Sequence, residues 1–339
     1  MIIVLKPRIS RKEETAVLRE IRKLGYTPHV MRGVARTVIG AIGDELTHAN
    51  LETLVSEFPR AVESVMPIQK RYKLVSREAH PANSTIRVRE HVIGGKKLHV
   101  MAGPCSVESE KQLLATAEAV KAAGATFLRG GAFKPRTSPY EFQGLGEKGL
   151  KLLAKARKET GLAVITELLS ENHAQMVAEY TDIIQIGARN AQNFQLLIAA
   201  AKTGKPVLLK RGLSMKIEEW LLAGEYVLAN ENPNLLFCER GIRTFETYTR
   251  NTLDLSTIPI IKRESHCPMV IDPSQGAGRA DLVAAMSKGA VAMGADALLI
   301  EVHPNPAEAW SDGAQQVSFD TFAKLMKELK PFIAAAGRE

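Results

Sequence analysis

Cys105 follows a Gly103-Pro104 turn at the end of the run Leu98-His-Val-Met-Ala. A thiolate binds borderline cations and attacks carbon, although free cysteine is more often a small buried hydrophobe. Glu301, in Glu301-Val302-His303, closes another apolar run, and Asp312 stands in the following loop, in Trp310-Ser311-Asp312-Gly313. A thiolate with two carboxylates can hold a divalent cation such as Mn, Fe or Zn.

A second group is cationic: Arg129, Lys134, Arg136, Arg189, Lys210 and Arg240. One surface Lys or Arg is ordinarily just solvated, but these fall at or just beyond the ends of successive apolar runs. In Lys134-Pro135-Arg136-Thr137-Ser138, proline stiffens a loop that presents an ammonium, a guanidinium fork and two hydroxyls together. That set suits a phosphate monoester. Arg189, Lys210 and Arg240, on neighbouring strands, can clamp a second anion carrying both carboxylate and phosphate.

The elements that must position these residues are short apolar runs. They end near Gly103, Arg129, Glu167, Arg189, Lys210, Glu239, Asp272 and Glu301. Runs without alternation suit strands buried on both faces, and helical patterns separate them, so the spacing predicts an α/β (β/α)8 barrel. Its helices are expected at about 109–123, 145–160, 171–180, 193–203, 216–229, 248–255, 281–293 and 318–335. Residues 1–67 read as a separate βαββαβ unit of ferredoxin-like α+β type. Ser10 caps its first helix, a turn at Arg32-Gly33 joins two strands, and Leu46–Phe58 forms the second helix, stopped before Pro59. Residues 68–97 are a polar linker and a hairpin turning at Gly94-Gly95 that plugs the barrel floor, and residues 98–339 are the barrel.

Composition sets outer bounds. The 339 residues are 45% hydrophobic and 24% charged, which is ordinary globular composition. No apolar run approaches a membrane span and the N-terminus has no signal-peptide pattern, so neither export nor membrane insertion is expected. The odd set Cys105, Cys238 and Cys267 lacks a CxxC pair and points to a reducing cytoplasm. The +8 balance is spread along the chain without a basic tract, which argues against nucleic acid and for small anionic substrates.

In this order, Ala-Gly-Pro-Cys-Ser, Lys-Pro-Arg-Thr-Ser, Ile-Gly-Ala-Arg, Asp-Pro-Ser and Ile-Glu-Val-His-Pro resemble 3-deoxy-D-arabino-heptulosonate 7-phosphate (DAHP) synthase. The resemblance covers essentially the whole chain and is to the shorter type I form with an N-terminal ferredoxin-like domain. It implies condensation of phosphoenolpyruvate with erythrose 4-phosphate, the entry step of the shikimate pathway. Cys105, Glu301 and Asp312 match metal ligands of that family, and Arg129, Arg189, Lys210 and Arg240 its phosphoenolpyruvate contacts. Lys134 matches a catalytic residue between the substrates, Lys210 a second candidate, and Arg136 with Thr137 the erythrose 4-phosphate site. The resemblance also implies a homo-oligomer, a tetramer, with an aromatic amino acid as effector of the first domain. The family's fourth metal ligand is a histidine directly after Asp-Pro-Ser, and here that residue is Gln275. An amide oxygen is a weaker donor to these ions, so cation affinity is expected to be reduced. His266 and His303 are not expected to substitute. Two other readings stay open: the sibling 3-deoxy-D-manno-octulosonate 8-phosphate synthase, and a catalytically silent barrel kept for regulation or assembly.

Overall fold

Eight parallel strands close a barrel in the computed structural model, which describes residues 1–32, 37–42, 51–66 and 70–339. The strands are β7 (His99–Gly103), β8 (Phe127–Arg129), β9 (Ala163–Glu167), β10 (Ile183–Ile186), β11 (Val207–Lys210), β12 (Leu235–Glu239), β13 (Met269–Ile271) and β14 (Ala297–Glu301). β14 pairs with β7 and completes the circle. Side chains alternate along each strand, so residues two apart share a face. One set packs outward against the helices, with Val100, Leu128, Val164, Ile184, Leu209, Phe237, Ile271 and Leu298 in its core. The other set fills the barrel: Met101, Phe127, Ile165, Ile183, Leu208, Leu236, Cys238, Val270 and Leu299.

The floor is closed by a hairpin, β5 (Ile86–Val88) and β6 (His91–Ile93), whose Ile86, Val88 and Ile93 join that inner cluster. Its turn lies at Arg89-Glu90, with Arg89 at φ 55°, and not at Gly94-Gly95 as the glycines suggest. Gly94 instead follows β6 on its way to the barrel. The segment before the hairpin is held on the barrel by Glu225, whose carboxylate accepts from the backbone of Lys73 at 3.0 Å, Leu74 at 2.6 Å and Val75 at 3.1 Å.

Seven of the expected barrel helices are present, at Glu110–Ala122, Glu147–Thr160, Ala174–Tyr180, Phe194–Lys202, Ile217–Leu228, Ala280–Ala292 and Phe319–Ala335. The helix expected over 248–255 is not: that stretch is loop, bridged at Ile242 and Thr252, and the helix is Thr257–Glu264. Asn and Thr are poor helix formers, whereas Pro259 is tolerated in a first turn. Leu253 and Leu255 pack on the core from the loop. A further short helix, Pro273–Ala277, follows β13, its N-terminus capped by the Asp272 side chain.

The chain divides between Arg71 and Tyr72. The first unit is a four-stranded antiparallel sheet in the order β2 (Thr27–Arg32), β3 (Thr37–Ile42), β1 (Ile2–Leu5), β4 (Val62–Met66). Its helix Arg11–Lys23 carries the Ser10 cap with Glu13 closing a capping box, and buries Val17 and Ile21 against Ile3, Leu5 and Ile39. Of the second expected helix, Leu54–Glu57 is helical; residues 46–50, like Gly33 of the expected turn, lie outside the described residues. No helix among the described residues is long and apolar enough to cross a membrane.

His99 opens β7 fully enclosed, with Nδ1 3.1 Å from Thr126 Oγ1 and Nε2 3.0 Å from the Val92 carbonyl. Burial pushes its pKa down to about 4. The unfolded chain therefore takes up a proton below the ordinary value near 6.5 that the folded chain refuses until about 4. Stability contributed by the neutral ring is complete above that window and falls as pH drops through it. The urea midpoint is expected to decline across that range, and His99→Gln to flatten part of the decline. An unchanged profile in the variant refutes the assignment.

Candidate active site

At the C-terminal end the inward set continues in polar residues. Arg129, Glu167, Gln185, Lys210, Arg240, Asp272 and Glu301 each stand two places beyond an inward apolar residue, namely Phe127, Ile165, Ile183, Leu208, Cys238, Val270 and Leu299. The same period that fills the floor lifts these groups to the mouth. Most are buried, so they need partners: losing one member of a buried pair costs about 3–5 kcal/mol. Lys210 Nζ lies 2.6 Å from Asp272 Oδ2, and Arg129 Nη1 donates to Glu301 at 3.1 Å and to the Pro104 carbonyl at 2.7 Å. Behind the mouth, outward-facing Glu239 pairs with Arg211 at 2.9 Å.

Cys105, Glu301 and Asp312 come together, offering donor atoms within 4.8 Å of one another. Gly103, at φ 155°, turns the chain here, and a Cβ on it would run into the Arg129 carbonyl. Cys105 follows, fully buried, with Sγ 3.4 Å from Asp312 Oδ2 and 3.0 Å from Lys134 Nζ. Burial and then Glu301 push its thiol up to about 11, against the pull of Lys134. Asp312 holds its carboxyl below the usual range, because Arg250 and Lys134 outweigh the opposing effect of burial. One thiol and two carboxylates converging on one point fit a borderline divalent cation. Gln275 stands beside this cluster. Its Nε2 lies 3.4 Å from Glu301 Oε1, while its Oε1 accepts from Lys210 Nζ at 3.5 Å and Arg240 Nη2 at 3.3 Å. The amide oxygen is thus turned to the cations rather than to the cluster. His303 instead meets Glu108, 3.2 Å away, and His266 binds Ser84 and the Leu74 carbonyl before β13.

Above lies a cavity of about 320 Å³. Lys134, Arg136, Thr137, Arg189, Lys210, Arg240, Gln275 and Asp312 all line it, so most of the cationic group shares one space with one member of the Cys105, Glu301 and Asp312 cluster. Arg129 sits in the smaller recess beneath, with Cys105. Arg129 and Arg240 each keep a buried Nε that meets no hydrogen-bond partner among the described residues. Burial also lowers the Arg240 pKa despite Asp272 nearby. Donors and charge left over in this way call for an anion.

Glu167, Gln185, Arg243, Arg250 and Asn251 line the cavity as well. Glu167 and Gln185 were readable from strand register, whereas Arg250 and Asn251 were hidden by assigning their loop to a helix.

An eight-stranded parallel barrel with a basic cavity at its C-terminal mouth is the framework of an enzyme acting on small anionic substrates. The DAHP synthetase I family matches residues 78–335, and the DAHP synthase ferredoxin-like domain matches residues 1–70. Phospho-2-dehydro-3-deoxyheptonate aldolase of Thermotoga maritima is 49% identical over 99% of both chains. The crystal structure of that aldolase (DAHP synthase) superimposes with a TM-score of 0.89 at 48% identity, covering 100% of this chain and 98% of the other. The 2-dehydro-3-deoxyphosphooctonate aldolase of Syntrophotalea carbinolica is more distant, 33% identical over 72% of this chain and 94% of its own length. The chain belongs to the DAHP synthetase I family and is an aldolase-type enzyme. The reading as a silent barrel falls.

Arg240→Ala is expected to weaken phosphoenolpyruvate binding by about 1.5–3 kcal/mol, roughly ten- to a hundredfold, since charge-assisted bonds are the strong ones. Calorimetric titration measures this, and an unchanged dissociation constant refutes convergence on one anion.

Proposed function

We propose that this chain condenses phosphoenolpyruvate with erythrose 4-phosphate and water to DAHP and phosphate, with the residues of the mouth in specific roles. The supporting observation is that Arg189, Lys210 and Arg240 line one cavity together with Lys134, Arg136 and Thr137. In this reading Arg189, Lys210 and Arg240 hold phosphoenolpyruvate above Arg129, and Arg136 with Thr137 takes the aldose phosphate. Enclosing two anions in one space needs this many cations, which offset their repulsion and hold the reacting carbons in contact.

C3 of the enol ester attacks the aldehyde carbon of erythrose 4-phosphate. Lys134, beside Cys105, donates a hydrogen bond to the aldehyde oxygen as it gains charge. The cationic C2 that results is captured by water, and phosphate then departs. Glu167 borders that space and is a carboxylate able to take the proton that the water loses, while Lys210 stays a charged donor to the anion. Cys105, Glu301 and Asp312 would hold Mn, Fe or Zn, which supplies Lewis acidity toward the aldehyde oxygen when bound. Gln275, with its oxygen committed to Lys210 and Arg240, leaves three protein ligands, enough for a catalytic cation but a weaker set than four. Residues 1–67 would bind an aromatic amino acid as feedback effector, in a cytoplasmic homotetramer.

Turnover separates this reading from the octulosonate alternative. After chelation and dialysis the chain is expected to consume phosphoenolpyruvate with erythrose 4-phosphate, not with arabinose 5-phosphate, and only after Mn is returned. Full activity in chelator removes the cation from the reading, and preference for the pentose phosphate overturns the substrate. In the same assay, Arg136→Ala should raise the KM for erythrose 4-phosphate far more than that for phosphoenolpyruvate.

Deleting residues 1–67 is expected to leave condensation intact and abolish inhibition by tyrosine or phenylalanine. If neither amino acid inhibits the intact chain, the regulatory role is refuted and the unit serves assembly.

A further inference from the structure

Each member of the Cys105, Glu301 and Asp312 cluster already faces a cation. Lys134 Nζ is 3.0 Å from Cys105 Sγ, Arg129 Nη1 is 3.1 Å from Glu301 Oε1, and Arg250 Nη1 is 3.1 Å from Asp312 Oδ1. Positive charge so placed opposes an incoming metal cation. These three partners differ in freedom. Arg129 and Lys134 are buried and confined, whereas the Arg250 side chain is 45% exposed. Arg250 also donates to Gln315 Oε1 at 3.2 Å, and Gln315 Nε2 donates to Glu301 Oε2 at 2.6 Å. One guanidinium thus reaches both carboxylates, one directly and one through an amide.

The same side chain borders the cavity, where Arg136 and Arg243 also stand. It lies within electrostatic reach of Arg240, a like charge with an unmatched buried Nε. Its stem runs close over Gly278, at φ 68°, where a Cβ would collide with the Arg250 Cβ. Its backbone is fixed by a bond from its N–H to the Ala277 carbonyl at 2.9 Å. The root is held while the tip is free to choose between Asp312 and an anion in the cavity.

We propose that Arg250 couples the two halves of the site: an anion in the cavity draws its guanidinium from Asp312, and cation binding at Cys105, Glu301 and Asp312 strengthens. This rests on the cation reading given above. By linkage, cation binding strengthens the anion's hold by the same factor. Arg250 is a positioning residue here, acting through a carboxylate it releases.

Binding of Mn is measured on the full chain by the electron spin resonance of the free ion, at rising sulfate and constant ionic strength, in wild type and Arg250→Gln. In wild type, sulfate is expected to tighten Mn binding on the order of tenfold, within the usual range of such couplings. Arg250→Gln is expected to bind Mn more tightly than wild type without sulfate and to gain little from adding it. A variant with wild-type Mn affinity, or one that keeps the full sulfate effect, overturns the proposal. Absence of Mn binding in both proteins under all conditions overturns the cation reading itself, and the coupling with it.

Discussion

Charged groups set directly on an apolar floor must be paired or liganded, and the mouth of this barrel follows from that constraint. The two-residue period of the strands puts Arg129, Lys210, Arg240, Asp272 and Glu301 one step above Phe127, Leu208, Cys238, Val270 and Leu299. There they are largely shut off from water, and an unpaired charge would cost several kcal/mol. Asp272 answers Lys210, and Glu301 answers Arg129. What those pairings leave over, the open Nε groups and the cations around the cavity, is what the proposed anion sites draw on.

The pairings also govern the cluster of Cys105, Glu301 and Asp312. A thiol pushed up to about 11 stays protonated at neutral pH, so a cation held there, as proposed, would have to displace its proton. Lys134 opposes that rise. Gln275 joins the two regions with a single amide, its nitrogen toward Glu301 and its oxygen toward Lys210 and Arg240. Neutral and bifunctional, it can serve both without adding charge to either.

The barrel was legible because apolar runs without alternation are distinctive, and the polar residue closing each run marks the same end of every strand. Cys105 and Glu301 could be placed from strand ends, and Asp312 only as a weaker candidate in the loop beyond; the cations from Arg129 to Arg240 lie at strand ends or in the loops that follow them. Three things were not legible. The turn at Arg89-Glu90 defeated a reading based on glycine, because a non-glycine residue takes the left-handed conformation there. The loop over 248–255 carries Leu253 and Leu255, which reach the core without forming a helix, and so Arg250 and Asn251 were missed. The orientation of the Gln275 amide depends on three side chains, Glu301, Lys210 and Arg240, from three separate segments, and no local pattern encodes it.

The floor hairpin has a consequence for a shortened chain. Ile86, Val88 and Ile93 belong to the same unit as the strands they seal, on the far side of the division at Arg71 and Tyr72. Glu225 secures the approach to that hairpin from within the same unit. The lower end of the barrel interior is therefore closed by its own sequence. A chain beginning at residue 72 would carry every residue of that seal.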